Sequence, residues 1–321
     1  MKRFLVITVP LIGLLLSCNA TKDRVITDEI RVLKIDTIIN TKIGGIQQTI
    51  SISTNDAQNP MLLFLSGGPG SSMMNDSESF TGLLKSRFTI VHWDQRDAGK
   101  TLALNPSPER PTIDLMVKDT QEVINWLLQK FNQKKIYLLG SSWGNVLGFQ
   151  IVEKNPELLH AYFAVNSLTS QLESEKELLA TLKEHFKDNS EASKELESVK
   201  LPFKQDEDLF YLRKWLFYME GKTFARSDSF KSGFLEWSKT WSPVWNEAMA
   251  IDLPKSLPKV KCPVYFLVGK NDIQTSTKIT VAYFEQLKAP HKELFIFENS
   301  GHQIHKDETD KFQNIILKTL H

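Results

Sequence analysis

The stretch KIYLLGSSWG, residues 135–144, is the part of this sequence that most narrows the choice of fold. Its first half is an apolar run typical of a strand, and the following NVLGFQIVEK has the pattern of a helix. Between them Gly140 and Gly144 flank Ser142, and glycines let a strand and a helix approach closely across a tight turn. Such a turn projects the serine hydroxyl to solvent. The same pattern would also suit an ordinary turn, so other residues must show whether Ser142 is a nucleophile.

Further apolar runs recur along the chain without the polar alternation of a half-exposed strand. Continuous runs of this kind are typical of strands covered on both faces, and hence of a largely parallel sheet. The segments between them carry apolar residues at helical spacing, as in 114–131. Alternating strands and helices predict an α/β fold. The runs are MLLFLS (61–66), FTIVHWD (88–94), AYFAVNS (161–167), PVYFLVG (263–269) and ELFIFEN (293–299).

The bulk composition excludes several function classes. The chain has 321 residues, of which 41% are hydrophobic and 24% charged, so it can bury a sizeable core. A net charge of +1 without a basic stripe argues against nucleic-acid binding. We find no Walker-type loop, no dinucleotide glycine pattern and no zinc spacing, and therefore expect no cofactor and no metal.

A serine hydroxyl is a poor nucleophile unless a base takes its proton and an acid orients that base. In a strand–turn–helix site of this kind the order along the chain is serine, acid, histidine. Asp272 follows the run PVYFLVG, and His302 follows ELFIF and the turn ENSG, so both are expected at the carboxyl ends of strands. Asp272 would also suit an ordinary turn. The remaining candidates are less well placed: His160, His185, His291, His305 and His321.

Acyl transfer also needs backbone N–H donors for the oxygen that becomes negatively charged in the tetrahedral intermediate. Trp143, directly after the serine, is expected to supply one donor. The loop LSGGPG, residues 65–70, is expected to supply the other, at Gly68, because its glycines let the backbone approach that oxygen. The loop is at the same time a turn.

Taken together, these motifs resemble the α/β-hydrolase fold and, more narrowly, proline iminopeptidases and related serine peptidases. The likeness covers roughly residues 30–168 and 258–320, and that family carries HGGPG, DQRGxG and GGSWG at the corresponding places. It implies Ser142 as nucleophile, Asp272 and His302 as its partners, and Gly68 and Trp143 as the oxyanion hole. It also implies a hydrolase core at 29–168 and 258–321 with a helical cap at 169–257.

The sequence departs from the family pattern in three places. Ser66 stands where the family has histidine, and Asp97 where DQRGxG has its first glycine. In the cap, the family holds the substrate's amino group with acidic residues, one of them in a WxxWE-like helix. Here WSPVWNE has Asn246 at that position and Glu247 one residue later, which rotates the side chain by about 100° on a helix. The weak candidates for amine recognition are Glu247, Glu220 and Glu207.

The first residues have the layout of an export signal. Lys2 and Arg3 precede the apolar run 4–16, and LLSC at 15–18 resembles the lipobox of bacterial lipoproteins. That resemblance implies a signal peptide at 1–18, lipid on Cys18, a tether at 19–28 and attachment of the exported protein to a bacterial membrane surface. An ordinary cleaved signal and an uncleaved anchor are the alternatives.

The sequence therefore predicts a lipid-anchored serine hydrolase that cleaves the N-terminal residue from small peptides. Two other hypotheses stay open. The same residues could act on an ester, a lactone or a small amide, or the chain could be a binding protein that has kept the fold without the chemistry.

Overall fold

The computed structural model describes residues 33–320, and the predicted signal, the tether and Cys18 lie outside that range. An eight-stranded sheet forms its centre, in the order β1-β2-β4-β3-β5-β6-β7-β8. The strands are β1 Ile35–Ile43, β2 Ile46–Thr54, β3 Met61–Leu65, β4 Thr89–Asp94, β5 Ile136–Ser141, β6 Leu159–Val165, β7 Val264–Gly269 and β8 Lys292–Phe297.

The sheet is antiparallel at one edge and parallel elsewhere. β1 and β2 form a hairpin across Gly44 and Gly45, and β2 pairs antiparallel with β4. All pairings from β4 through β3 to β8 are parallel. A parallel pairing requires a crossover, and helices provide these crossovers. The predicted α/β fold with a mostly parallel sheet is confirmed.

Helices lie along the whole described chain. They are α1 Ser77–Thr81, α2 Gly99–Leu104, α3 Ile113–Phe131, α4 Gly144–Lys154, α5 Gln171–His185, α6 Ser190–Ser198, α7 Asp206–Met219, α8 Asp228–Ala248, α9 Leu253–Ser256, α10 Thr277–Gln286, α11 Ile304–Asp307 and α12 Thr309–Lys318. Short 3₁₀ turns occur at Leu84–Ser86, Pro156–Leu158 and Thr223–Arg226.

The central strands β3 to β7 are buried on both faces of the sheet, which is why they read as continuous apolar runs, whereas the edge strands β1 and β8 are partly exposed. In β3, Leu63 belongs to the core that also contains residues of α3, α4 and α10, whereas its neighbour Phe64 belongs to the core beneath α1 and α12. Neighbouring side chains on a strand point to opposite faces, so one five-residue strand supplies both layers.

Helices α5 to α9 fall between β6 and β7, in the stretch for which the sequence predicts a cap; the exact limits 169–257 stay a prediction. A buried ion pair links two of these helices, because Arg213 on α7 donates to Glu175 on α5 from both terminal guanidinium nitrogens. Within residues 33–320, no helix has the length and apolarity needed to cross a membrane.

Candidate active site

Ser142 occupies a strained turn between β5 and α4. Its φ is +51°, a left-handed value that serine adopts rarely and that is typical of a nucleophile elbow. The flanking glycines are required by close approach. A Cβ on Gly144 would lie 2.0 Å from the carbonyl oxygen of Leu65, and one on Gly140 would lie 2.4 Å from the Tyr162 hydroxyl. Any larger residue at these two places would push α4 away from the sheet.

The structure brings the three side chains singled out from the sequence into one hydrogen-bonded chain. Nε2 of His302 lies 2.9 Å from Oγ of Ser142, and Nδ1 of His302 lies 2.8 Å from Oδ2 of Asp272. Asp272 follows β7 and His302 follows β8, so both sit at carboxyl ends of parallel strands. Because an ionised carboxylate only accepts, it fixes the proton on Nδ1 and leaves Nε2 free to accept from the Ser142 hydroxyl.

Asp272 is buried and saturated with donors. Its Oδ2 accepts from Oγ1 of Thr275 at 2.7 Å, and its Oδ1 accepts from the backbone N–H of Gln274 at 2.8 Å. Burial by itself raises the pKa of the Asp272 carboxyl, but the charge of a protonated His302 and the hydrogen bonds from His302 and Thr275 outweigh it. The net pKa lies below the ordinary value, so Asp272 is ionised at neutral pH.

The loop after β3 lies against Ser142. A Cβ on Gly67 would come within 3.3 Å of the Ser142 Cβ, and Gly68 has a φ of +115° that a larger residue would adopt only with strain. Among the hydrogen bonds between residues 33–320, neither Gly68 nor Trp143 uses its backbone N–H as a donor. Two unengaged N–H groups beside the serine are what an oxyanion hole needs before substrate binds.

A cavity of about 660 Å³ opens over Ser142 and His302. Its floor is the glycine loop, and its roof is formed by α7 and α8. The roof is strongly aromatic, with side chains that can enclose an apolar group: Phe217, Phe230, Phe234, Trp237 and Trp245.

Comparison with known proteins identifies the family. A model described as the alpha/beta hydrolase fold matches residues 60–309. The chain belongs to the α/β-hydrolase family. This hydrolase is 31% identical to "Probable aminopeptidase YbaC" of Bacillus subtilis (strain 168), across 86% of this chain and 93% of the relative. It is 23% identical to a "Proline iminopeptidase" of Thermoplasma volcanium, across 87% of this chain and 95% of that one.

Solved structures agree on the fold. The crystal structure of a proline iminopeptidase from Mycobacterium smegmatis superposes on this hydrolase with a TM-score of 0.61, covering 88% of this chain and 97% of that one. The two sequences are 17% identical, so the likeness is one of fold.

The three acidic candidates for amine recognition do not line the cavity of this hydrolase. Glu247 accepts a hydrogen bond of 3.0 Å from the backbone N–H of Ile113, where it caps the start of α3. Glu220 pairs with Lys222 at 2.7 Å, and Glu207 lies in the first turn of α7. Within residues 33–320, the one carboxylate on the cavity wall is that of Asp76. The number and spacing of acidic residues in the sequence could not show which of them line the cavity, because the orientation of each packed helix decides where its side chains point.

Sequence reasoning also missed Asn166, directly after β6. Its side-chain amide donates to the carbonyl oxygen of His302 at 2.8 Å, and its side-chain oxygen accepts from the backbone N–H of Gly269 at 2.9 Å. Asn166 has a φ of +43°, which asparagine tolerates better than most residues. The available signal was a polar residue at a strand's carboxyl end, the same signal that identified Asp272.

The segment 94–97 at the end of β4, which corresponds to the start of the DQRGxG motif, contacts α3 through a buried ion pair. The Nε and Nη2 atoms of Arg96 donate to the two oxygens of Asp119 on α3 at 2.7 and 2.9 Å, and both side chains are 1% exposed. Asp97, at the family's glycine position, keeps a left-handed φ of +55°. Its carboxylate accepts from the backbone N–H of Ser107 at 2.8 Å, which offsets part of the strain.

Within residues 33–320, no cluster of three or more histidine, cysteine, aspartate or glutamate side chains is arranged to hold a metal ion.

Proposed function

We propose that this α/β-hydrolase is a serine hydrolase that works through an acyl-enzyme on Ser142. One observation carries the proposal: the continuous hydrogen-bonded chain from Ser142 Oγ through the His302 ring to Asp272. Serine, imidazole and buried carboxylate in this order make a nucleophile, its general base and the group that orients the base.

The reaction follows from this arrangement. Ser142 Oγ attacks the substrate's carbonyl carbon while its proton moves to Nε2 of His302, and the carbonyl oxygen becomes an oxyanion facing the N–H groups of Gly68 and Trp143. The C–N or C–O bond then breaks, and the leaving amine or alcohol takes the proton from Nε2. Water attacks the acyl-enzyme by the same route, giving its proton to Nε2. The acid is released and Ser142 Oγ regains a proton.

For the substrate we propose the N-terminal residue of a small peptide. The names of the two relatives support this choice, and the aromatic roof of the cavity suits an apolar or cyclic side chain.

One observation favours a second candidate, a substrate without a free amine, such as an ester, a lactone or a small amide. Asp76 is the one carboxylate on the cavity wall within residues 33–320, and Lys306 already pairs with it at 2.9 Å. An ammonium group bound at Asp76 would have to share this carboxylate with Lys306 or displace that lysine.

Two experiments test the proposal. A fluorophosphonate probe should label the purified protein and should not label Ser142→Ala, and labelling of the variant would refute Ser142 as nucleophile. Matched arylamides of proline and leucine, with the α-amine free or acetylated, then separate the two substrate classes. Cleavage of the free forms alone supports the aminopeptidase, and cleavage of the acetylated forms at a similar rate supports the second candidate.

We also propose that the exported protein is held at a membrane surface by lipid on Cys18, on the strength of the LLSC pattern. Cells that process lipoproteins should incorporate labelled palmitate into the full chain and not into Cys18→Ser. Equal incorporation into both would overturn the proposal.

A further inference from the structure

Helix α8 places tryptophans at every fourth position, which puts Trp237, Trp241 and Trp245 on one face of the helix. This face contacts the two chain segments that carry the candidate oxyanion-hole donors. Nε1 of Trp237 donates a hydrogen bond of 3.0 Å to the carbonyl oxygen of Pro69, the residue after Gly68.

The next tryptophan fills the space beside the same loop. A Cβ added to Gly70 would lie 2.5 Å from Nε1 of Trp241, so the indole sits directly against the bare backbone there. The ring of Trp245 stacks on that of Trp143, at 6.1 Å between centroids. The cap helix therefore contacts both stretches of chain that carry the proposed N–H donors.

The loop needs such support because its own sequence does not determine its conformation. Gly68 and Gly70 have φ values of +115° and +82°, and glycine populates many alternatives at little cost. A donor contributes to catalysis only if it already points at the position of the oxyanion. The contacts with α8 fall on Pro69 and Gly70, directly after Gly68.

We propose that Trp237 and Trp241 are positioning residues, which hold the Gly67–Gly70 loop so that the N–H of Gly68 faces the oxyanion. The inference rests on the proposed serine hydrolase mechanism. Trp237 also lines the substrate cavity, so α8 connects the cavity roof to the oxyanion loop.

The decisive variant is Trp237→Phe, which removes the indole N–H and keeps an aromatic ring in the cavity. We expect kcat to fall about 10- to 100-fold, in line with a weakened oxyanion donor, while KM changes less than about threefold. The second-order rate of reaction with diisopropyl fluorophosphate should fall in parallel, because this small probe needs the oxyanion hole and does not fill the aromatic roof. Trp241→Phe should act in the same direction.

The matched control is Trp126→Phe on α3, outside the cavity lining, which should leave kcat and the probe rate unchanged. Thermal unfolding of each variant checks that it folds. If Trp237→Phe does not fold, the same measurements are made on Trp237→Tyr. A rise in KM with kcat and probe rate unchanged would show that Trp237 only lines the cavity, and would overturn the inference. Failure of the proposed function is distinguishable, because the wild-type protein itself would then not react with the probe.

Discussion

The side-chain amide of Asn166 donates a hydrogen bond of 2.8 Å to the main-chain carbonyl of His302. The same side chain accepts from the backbone N–H of Gly269, at the end of β7. One buried residue after β6 thus joins the loop of the candidate base to the strand that leads to Asp272. The alignment of the imidazole depends on this bridge as well as on its bond to the carboxylate.

Replacing Asn166 with alanine should therefore affect both stability and rate. The N–H of Gly269 and the carbonyl of His302 would lose their partner in a buried place, which costs about 2–3 kcal/mol of unfolding free energy. A displaced His302 should also lower kcat by about tenfold or more. Urea denaturation and hydrolysis of an activated ester measure the two effects. Asn125→Ala, at an exposed position on α3, is the control, and equal effects of the two variants would contradict the bridge.

Asp272→Asn should abolish most activity while the fold persists. The amide would present a donor toward Nδ1 of His302 or Oγ1 of Thr275, where the carboxylate accepts from both. The imidazole would then adopt the wrong tautomer, and kcat should fall by about 10⁴-fold. Steady-state kinetics with circular dichroism tests this, with exposed Asp310→Asn as control. A loss of less than tenfold would show that Asp272 does not orient the base.

His92 should make the protein less stable in acid. Burial, with smaller repulsion from His305 and Lys85, lowers the pKa of His92 from 6.5 to about 3. Between these values the unfolded chain binds a proton that the folded chain excludes. Stability therefore rises with pH across this window and falls on acidification, by up to about 1.4 kcal/mol per pH unit.

The variant His92→Phe removes this proton and suits a site where the ring packs 4.6 Å from that of Phe64, centroid to centroid. We expect a shallower slope of stability against pH between about pH 6 and 4, and a gain in stability at pH 5. Urea unfolding at several pH values measures both quantities. His305 keeps part of the slope, because burial also lowers its pKa, to about 4. An unchanged slope would mean that His92 does not stay neutral in the folded state.

Two glycine-to-alanine changes should have opposite signs. At Gly144 the new methyl group would lie 2.0 Å from the backbone oxygen of Leu65, so the helix must move off the sheet at a cost of about 3 kcal/mol or more. At Gly233, inside α8, nothing lies within 4 Å of the added carbon, and alanine should stabilise the helix by about 0.5–1 kcal/mol. Differential scanning calorimetry compares them. A stabilising Gly144→Ala would contradict the tight elbow.

Local sequence patterns were sufficient to predict the central strands, the turn at Ser142 and the positions of its two partners. Strands buried on both faces produce unbroken apolar runs, so β3 to β7 could be predicted from the composition of short windows. Gly140 and Gly144 are required because the turn packs closely against the neighbouring strands. The sequence shows this requirement as the pattern Gly-x-Ser-x-Gly. Asp272 and His302 could be identified because strand ends in a parallel sheet converge on one edge.

The sequence alone thus determined the α/β fold and the positions of Ser142, Asp272 and His302, since strand periodicity and turn chemistry are local properties. Only the tertiary structure decided that Glu247 caps α3 and that Trp237 reaches Pro69, 168 positions away. The direction in which a cap side chain points depends on how its helix packs against distant elements. That packing is the sum of many weak contacts between residues far apart in the chain, and no short window of sequence contains it.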